Sequence, residues 1–311
     1  MRARWNQPDA LITSDCGAIE NLRHYPANAP NNMVAASWAI NNGTDLEMGG
    51  SLLLTTLLNA TKQGLVTEAT ITAAARRTLL PLFRAGLYDD VADIGWSNLT
   101  ASDIGSKANL EVRDSAALQS FVLLKNKGSV LPLKRGARIA VVGPQATGRG
   151  LFSDYFGDDV CFSFNAHYQS DISCVTTIAD AIRAANVGGR TVNSTGVDIN
   201  SNDKSRIGAA LQAAKGADVI VLALGIDKSI EHEGADRPNT LLPGLQEAFA
   251  LQVLNLSIPV VLLLTNGGPL SIDALVDGSD AIVEAFNPAF GASATHILIQ
   301  QQQQATQTTC T

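Results

Sequence analysis

The heptapeptide RIAVVGP, residues 138–144, decides the fold class of this chain. Its four central residues are apolar without interruption, and a charged residue and a Gly-Pro turn enclose them. Continuous rather than alternating apolar character is typical of a strand in a parallel sheet, because helices cover both faces of such a sheet. The same pattern returns in ADVIVLALG (217–225) and in PVVLLLT (259–265). The sequence therefore predicts an α/β fold.

Helical patterns separate these strands. We predict helices over residues 109–120, 178–185 and 245–254, and two further strands over 121–126 and 281–286. Strands that alternate with helices predict an open, mostly parallel sheet, which we assign to residues 121–297. Ligand sites in such sheets lie beyond the carboxyl ends of the strands. The Gln- and Thr-rich end, residues 298–311, is expected to be disordered.

The first 90 residues also alternate between strand and helix patterns. Strands are predicted at 11–14 and 43–48, and helices at 33–42, 52–62 and 66–84, the last with Thr67 as N-cap. A layer with two strands cannot bury both of its faces. Residues 1–90 are therefore predicted to be part of a larger barrel or sheet, and residues 91–120 a linker with a helix.

Charge and hydropathy exclude several classes of partner. The 311 residues carry a formal net charge of −7, which disfavours nucleic acid and anionic membrane surfaces, since both attract basic faces. No apolar run approaches the roughly 18 residues of a membrane span. Asn6, Gln7, Pro8 and Asp9 interrupt any signal-peptide core at the beginning of this chain.

The cysteines and the glycosylation motifs indicate in which cellular compartment the protein is located. The four cysteines are too few for a disulfide-built scaffold. Cys161 and Cys174 flank a short polar loop and are predicted to form a disulfide, whereas Cys16 is predicted to stay unpaired. Candidate N-glycosylation motifs occur at Asn42, Asn59, Asn98, Asn193 and Asn255. This number favours an extracellular, secreted protein.

The segment IDKSIEHEGADRPN, residues 226–239, follows a predicted strand and holds the densest group of ionisable residues. The order His232, Glu233, Asp236 imitates a zinc-binding helix, but Gly234 and Pro238 disfavour a helix there. No nucleotide-binding loop or serine-hydrolase elbow follows any strand, so neither a metal nor a cofactor is expected.

Two interpretations of this segment stay open on spacing alone. It could be a solvated acidic loop with a contact between Asp236 and Arg237. Alternatively, one of its glutamates could work with Asp15, which ends the strand predicted at 11–14 in LITSDCGAIENL. Asp15 could itself cap the next helix or be displayed for chemistry. Two facing carboxylates, one protonated and one ionised, are the minimum that glycoside hydrolysis requires.

Several motifs in the same order resemble glycoside hydrolase family 3, in particular its fungal β-xylosidases. They are ITSDCGAI (12–19), NGTDLE (42–47), VLLKNKGSVLPL (122–133), RIAVVGPQA (138–146), ADVIVLALGIDKSIEHEGADRPNTLLPGLQ (217–246) and VVLLLTNGGPLSID (260–273). The resemblance implies a (β/α)8 barrel, of which residues 1–90 would be the carboxyl-terminal part, followed by an α/β sandwich. It makes Asp15 the nucleophile and Glu231 the acid/base, with Glu233 in reserve. Asp45 and Glu47 are expected to be structural.

The same resemblance implies a retaining, exo-acting β-xylosidase that removes terminal β-linked xylose from the ends of xylo-oligosaccharides or polysaccharides. A β-glucosidase, an α-arabinofuranosidase or a non-catalytic remnant of the family are the alternatives, and an unrelated α/β binding module is another. The chain begins just before Asp15, and Ala289 stands where a glycine-rich turn is usual in the family. We therefore expect a fragment with little activity of its own, whose substrate-binding residues lie mostly elsewhere.

Overall fold

The computed structural model describes residues 2–100, 103, 106–152, 172–173, 175–289 and 298. The chain divides into two compact units, Met1–Asp103 and Ile104–Thr311. The disulfide predicted between Cys161 and Cys174 and the disorder predicted for the Gln-rich end concern positions outside the described residues.

The second unit contains a six-stranded, mostly parallel sheet, as the continuous apolar runs predict. Its strands are β1 (Val122–Asn126), β2 (Arg138–Val142), β3 (Arg190–Ser194), β4 (Val219–Gly225), β5 (Val260–Thr265) and β6 (Ala281–Glu284). The order across the sheet is β1-β6-β5-β4-β2-β3. All neighbours are parallel except β1, which pairs with β6 in the antiparallel direction. The prediction of an α/β fold is confirmed.

Apolar residues on both faces of this sheet build two separate cores. Val221 and Ala223 of β4 point into one core, whereas Ile220 and Leu222 point into the other. Every residue of β4 and β5 is buried. A strand that packs helices on both sides gains from apolar residues at consecutive positions, which is the pattern in the sequence.

The described part of the second unit contains the 3-10 helix Lys127–Ser129 and five α-helices. The α-helices are α5 (Lys107–Ser120), α6 (Ile178–Ala185), α7 (Ile207–Ala214), α8 (Gln246–Leu254) and α9 (Asp273–Val276). α6 packs on one core of the sheet, and α7 and α8 pack on the other. The unit is therefore a sandwich of helices around a sheet, and α8 begins close to the end of β4, where the candidate site lies.

The first unit is built mainly from helices. They are α1 (Ala18–Asn21), α2 (Asn32–Asn41), α3 (Leu52–Lys62) and α4 (Glu68–Arg84), followed by the short 3-10 helices Val91–Asp93 and Gly95–Asn98. Thr67 caps α4, since its side chain accepts a hydrogen bond from the backbone N–H of Thr70. The predicted helices and the cap of α4 are thus confirmed to within two residues at each end.

The two strands predicted in the first unit are reduced to a single β-bridge with a few flanking backbone hydrogen bonds. Thr13 and Leu46 form a parallel bridge, and no longer ladder joins the two segments among the described residues. No third extended segment pairs with these two in the described part of the first unit. Within the part of the chain that the structure describes, no helix is both long and apolar enough to cross a membrane.

Candidate active site

Asp15 lies directly after the bridge between Thr13 and Leu46 and is exposed. Its Oδ1 accepts a hydrogen bond of 2.7 Å from the backbone N–H of Cys16. The next helix, α1, has Gly17 as its N-cap and no side-chain capping bond. Of the two predicted roles for Asp15, helix capping is therefore absent, and the carboxylate is displayed at the end of an extended segment.

A buried carboxylate, Asp45, anchors the segment that carries Asp15. The Asp45 side chain is fully buried and forms ion pairs with Arg2 and Arg77, whose side chains are 19% exposed. It also accepts a hydrogen bond of 3.0 Å from the backbone N–H of Ile12, and its own N–H donates to the Ile12 carbonyl at 2.8 Å. The backbone three residues before Asp15 is therefore held from both sides.

The loop after Leu46 completes this support. The backbone N–H of Met48 donates to Ser14 Oγ at 3.1 Å, and a Cβ on Gly49 would lie 2.9 Å from the Cβ of Cys16. Glu47 Oε2 accepts a hydrogen bond of 2.8 Å from the N–H of Leu53, in the first turn of α3. A carboxylate at that place stabilises a helix N-terminus. Glu47 is structural in this unit, as is Asp45.

Two buried glutamines hold the start of the acidic loop in the second unit. Gln246, the first residue of α8, accepts from the N–H of Gly225 at 2.9 Å and donates to its carbonyl at 2.7 Å. Gln145 donates to the carbonyl of Ile226 at 3.1 Å. Neither glutamine was singled out from the sequence.

The acidic loop forms a tight turn and not a helix. His232 and Ala235 exchange two backbone hydrogen bonds, of 3.2 and 2.9 Å, and Gly234 between them has a φ of 80°. A positive φ suits glycine because it has no Cβ. Glu233 is therefore at the tip of the turn, with its side chain exposed. No cluster of three metal-ligating side chains occurs among the residues that the structure describes.

Glu231 and Arg237 enclose this turn and pair with each other. Arg237 Nε donates to Glu231 Oε2, and Arg237 Nη2 donates to the carbonyl of Pro269 at 2.9 Å. The Arg237 side chain is 8% exposed and that of Glu231 is 35% exposed. The contact between Asp236 and Arg237, which one of the two interpretations of this loop included, is absent among the described ion pairs, because the guanidinium group reaches across the turn to Glu231 instead.

A further carboxylate lies at the carboxyl end of β6. Burial raises the pKa of Glu284 above its ordinary value, while hydrogen bonds from the Phe286 and Ala285 backbone and the Asn266 side chain oppose the rise. Phe286, two residues later, has a positive φ of 54°. Strained backbone and a partly desolvated carboxylate are common near functional sites.

Comparison with known proteins identifies the family. The model of the glycosyl hydrolase family 3 C-terminal domain matches residues 121–303. A probable exo-1,4-β-xylosidase (bxlB) of Aspergillus terreus is 32% identical over 275 residues, which are 88% of this chain and 34% of the relative.

Solved structures agree with this match. A family 3 exo-β-xylosidase (XlnD) in complex with a xylobiose aziridine activity-based probe has a TM-score of 0.79 at 29% identity, over 94% of this chain and 36% of that one. A β-glucosidase from Listeria innocua in complex with isofagomine has a TM-score of 0.80 at 26% identity, over 96% and 40%. This chain spans about a third of the length of the curated relative. The motifs, the six-stranded sheet and these matches together show that the chain belongs to glycoside hydrolase family 3.

Proposed function

We propose that this chain carries the catalytic carboxylates of a retaining β-glycosidase, an exo-acting β-xylosidase. The observation that carries the proposal is the exposed position of the Asp15 carboxylate. It is exposed, it ends an extended segment that a buried ion-paired carboxylate anchors, and it does not cap the helix that follows. A carboxylate held in this way at the carboxyl end of an extended segment is suited to attack a sugar. Residues 1–90 would then be part of a (β/α)8 barrel, and 121–297 the α/β sandwich.

The reaction would take place in two steps. The carboxylate of Asp15 attacks the anomeric carbon of the terminal sugar, the glycosidic bond breaks, and the leaving oxygen takes a proton from a glutamic acid. The same glutamate then accepts a proton from water, which releases the sugar with retained configuration. Two carboxyl groups about 5–5.5 Å apart are required for this outcome.

The ion pair between Glu231 and Arg237 bears on which glutamate supplies the proton. A general acid has to be protonated before the leaving group departs. A general acid must also reach the leaving oxygen, whereas Arg237 Nε already occupies Oε2 of Glu231. This contact favours Glu233, which the resemblance holds in reserve and which is exposed at the tip of the turn, as the acid/base. Glu231 is kept as the alternative that the experiment below has to exclude.

Substrate and location are further parts of the proposal. The curated relative named exo-1,4-β-xylosidase favours terminal β-linked xylose over glucose or arabinose, whereas the Listeria β-glucosidase keeps glucose as the second candidate. Oligosaccharide ends would be the partners. All five candidate glycosylation asparagines are exposed, which a secreted, glycosylated protein requires.

Covalent labelling tests the nucleophile. A β-xylose-configured aziridine alkylates the carboxylate that attacks the anomeric carbon, and peptide mass mapping then locates the adduct. We expect the adduct on Asp15, none in Asp15→Asn, and normal labelling in Asp9→Asn as a matched control. Faster labelling by the glucose-configured reagent would favour the β-glucosidase alternative. No adduct at any carboxylate would support the non-catalytic remnant and refute the proposal.

Azide rescue tests the acid/base. In Glu233→Ala, loss of the acid should reduce turnover of an alkyl xyloside far more than that of a 4-nitrophenyl xyloside, whose leaving group needs little protonation. Added azide should restore the rate and yield a β-xylosyl azide, since azide needs no general base. The same rescue in Glu231→Ala, and not in Glu233→Ala, would return the role to Glu231.

A further inference from the structure

We propose that Glu231 and Arg237 form a clamp that positions the turn carrying Glu233, so that Arg237 is a positioning residue for the acid/base. This inference rests on the proposed function for its chemical meaning, although its structural part can be tested without any activity.

The clamp closes the base of the turn. Glu231 lies one residue before the exchange of hydrogen bonds between His232 and Ala235, and Arg237 lies two residues after it. Because the side chains of residues 231 and 237 pair across the turn, the ends of the six-residue step between them cannot separate while the pair is intact. The tip, which holds Glu233, is thereby restricted to a small range of positions.

The clamp also fastens the turn to the neighbouring strand end. Arg237 Nη2 donates to the carbonyl of Pro269, which follows β5 by four residues. Gly268 beside it has no room for a side chain, because an added Cβ would lie 2.8 Å from Arg237 Nη2 and 2.8 Å from Glu231 Oε1. The ion pair therefore lies directly on the backbone of Gly268. An arginine that is 8% exposed gives such a contact a fixed orientation, because its guanidinium group is planar.

The two ends of the loop are held independently of the clamp. Gln246 holds Gly225 at the start, and Leu241 pairs with Ser271 in a parallel bridge after the end. Loss of the clamp should consequently loosen only the residues between these points and leave the sheet intact. Such a local effect is what distinguishes positioning of the turn from general stabilisation of the unit.

Trypsin cleavage after Lys228 measures this local loosening in the 311-residue chain. Cleavage requires the loop to open, so its rate follows the population of the open form when opening is fast. Gly268→Ala pushes on the pair without changing the cleavage site or any charge, and should raise the rate about tenfold or more, as expected when a charge-assisted hydrogen bond is weakened. Glu231→Gln should act in the same direction.

Matched controls make the result decisive. Gly267→Ala places a Cβ against the side chain of Asn287 rather than against the pair, and Asp236→Asn removes a neighbouring charge that does not pair with Arg237. Neither should raise the rate of cleavage. Unchanged cleavage in both Gly268→Ala and Glu231→Gln would overturn the clamp, as would equal acceleration in the two controls. If Gly268→Ala does not fold, Arg237→Lys, which keeps the charge but loses the fork, decides in its place.

Activity supplies the readout that a purely structural role would not change. If the clamp positions the acid, Gly268→Ala should reduce kcat for an alkyl xyloside about tenfold more than for a 4-nitrophenyl xyloside, with little change in KM. Equal losses for the two substrates would refute the positioning role, even if trypsin shows a loosened loop. Complete absence of turnover in the unaltered protein would instead count against the proposed function, and the trypsin result would still decide whether the clamp exists.

Discussion

Replacement of Asp45 should release the segment that carries Asp15. In Asp45→Ala the guanidinium groups of Arg2 and Arg77 lose their counter-charge, and the N–H of Ile12 loses its acceptor. Removal of one partner from a buried ion pair costs about 3–5 kcal/mol of unfolding free energy. A domain of ordinary stability has about 5–15 kcal/mol in all. The first unit should therefore become marginal or unfold.

The three tryptophans give this prediction a specific assay. Trp5, Trp38 and Trp96 all lie in the first unit, so tryptophan fluorescence during urea denaturation reports on that unit alone. Asp45→Ala should move the midpoint of the fluorescence transition to much lower urea, whereas the part of the circular dichroism signal that comes from the second unit should not move. Asp45→Asn should be less damaging, because its amide oxygen can still accept from Ile12.

An exposed aspartate provides the matched control. Asp89 is exposed in the same unit, and Asp89→Asn should change the unfolding free energy by no more than about 0.5 kcal/mol. The reasoning is refuted if Asp45→Ala loses less than about 1 kcal/mol, or if it loses no more than the Asp89 variant. Labelling of Asp15 by the xylose-configured aziridine should also be slower in Asp45→Asn than in the control.

Three other outcomes are expected. Burial raises the folded-state pKa of Glu284, so the contribution of this side chain to the free energy of unfolding is complete below the ordinary pKa of 4.5 and is lost as pH rises through the folded-state pKa. The stability of Glu284→Gln relative to the unaltered chain should therefore increase over that pH range. A difference in urea midpoint that does not change with pH would contradict this prediction. In Gly225→Ala the new Cβ would collide with the carbonyl of Thr265, which should lower the unfolding free energy of the second unit by about 2–5 kcal/mol. Gly208→Ala in α7 should leave that free energy unchanged or raise it. Unfolding followed by circular dichroism measures both changes. The 311 residues by themselves should hydrolyse a 4-nitrophenyl β-xyloside only slowly, since the relatives use about three times as much polypeptide; rapid turnover would contradict that expectation.

The sequence predicts five of the six strands, and its most direct signal comes from those that are buried on both faces. β2, β4 and β5 have consecutive apolar residues, because helices cover each side, and no other structure explains such short runs so well. β3 was missed because it is an edge strand in which Arg190 and Asn193 are exposed. α7 was also missed; its eight residues contain four alanines and a glycine and show little contrast between polar and apolar positions. Elements such as β3 and α7 depend on tertiary contacts that leave little local signal.

The candidate site, too, could be predicted from the sequence only in part. Asp15 and the acidic loop could be located because they follow extended or strand segments, and the resemblance to a family selected them among 29 acidic residues. The partner of Arg237 could not be located, because Glu231, Glu233 and Asp236 are all close to it in sequence. Only the turn at Gly234 decides which carboxylate the guanidinium group meets.

Ion pairs support both candidate catalytic carboxylates, and stability alone does not explain their use. A buried ion pair contributes little more, and often less, than apolar side chains of the same volume would. Its directional hydrogen bonds, however, fix a backbone position that apolar packing leaves free to shift, and catalysis requires positions within about 0.5 Å. Asp45 fixes Ile12 in this way, and Arg237 fixes the base of the Glu233 turn. We infer that these charges serve the placement of Asp15 and Glu233 in their two units, at a cost in stability that the apolar cores offset.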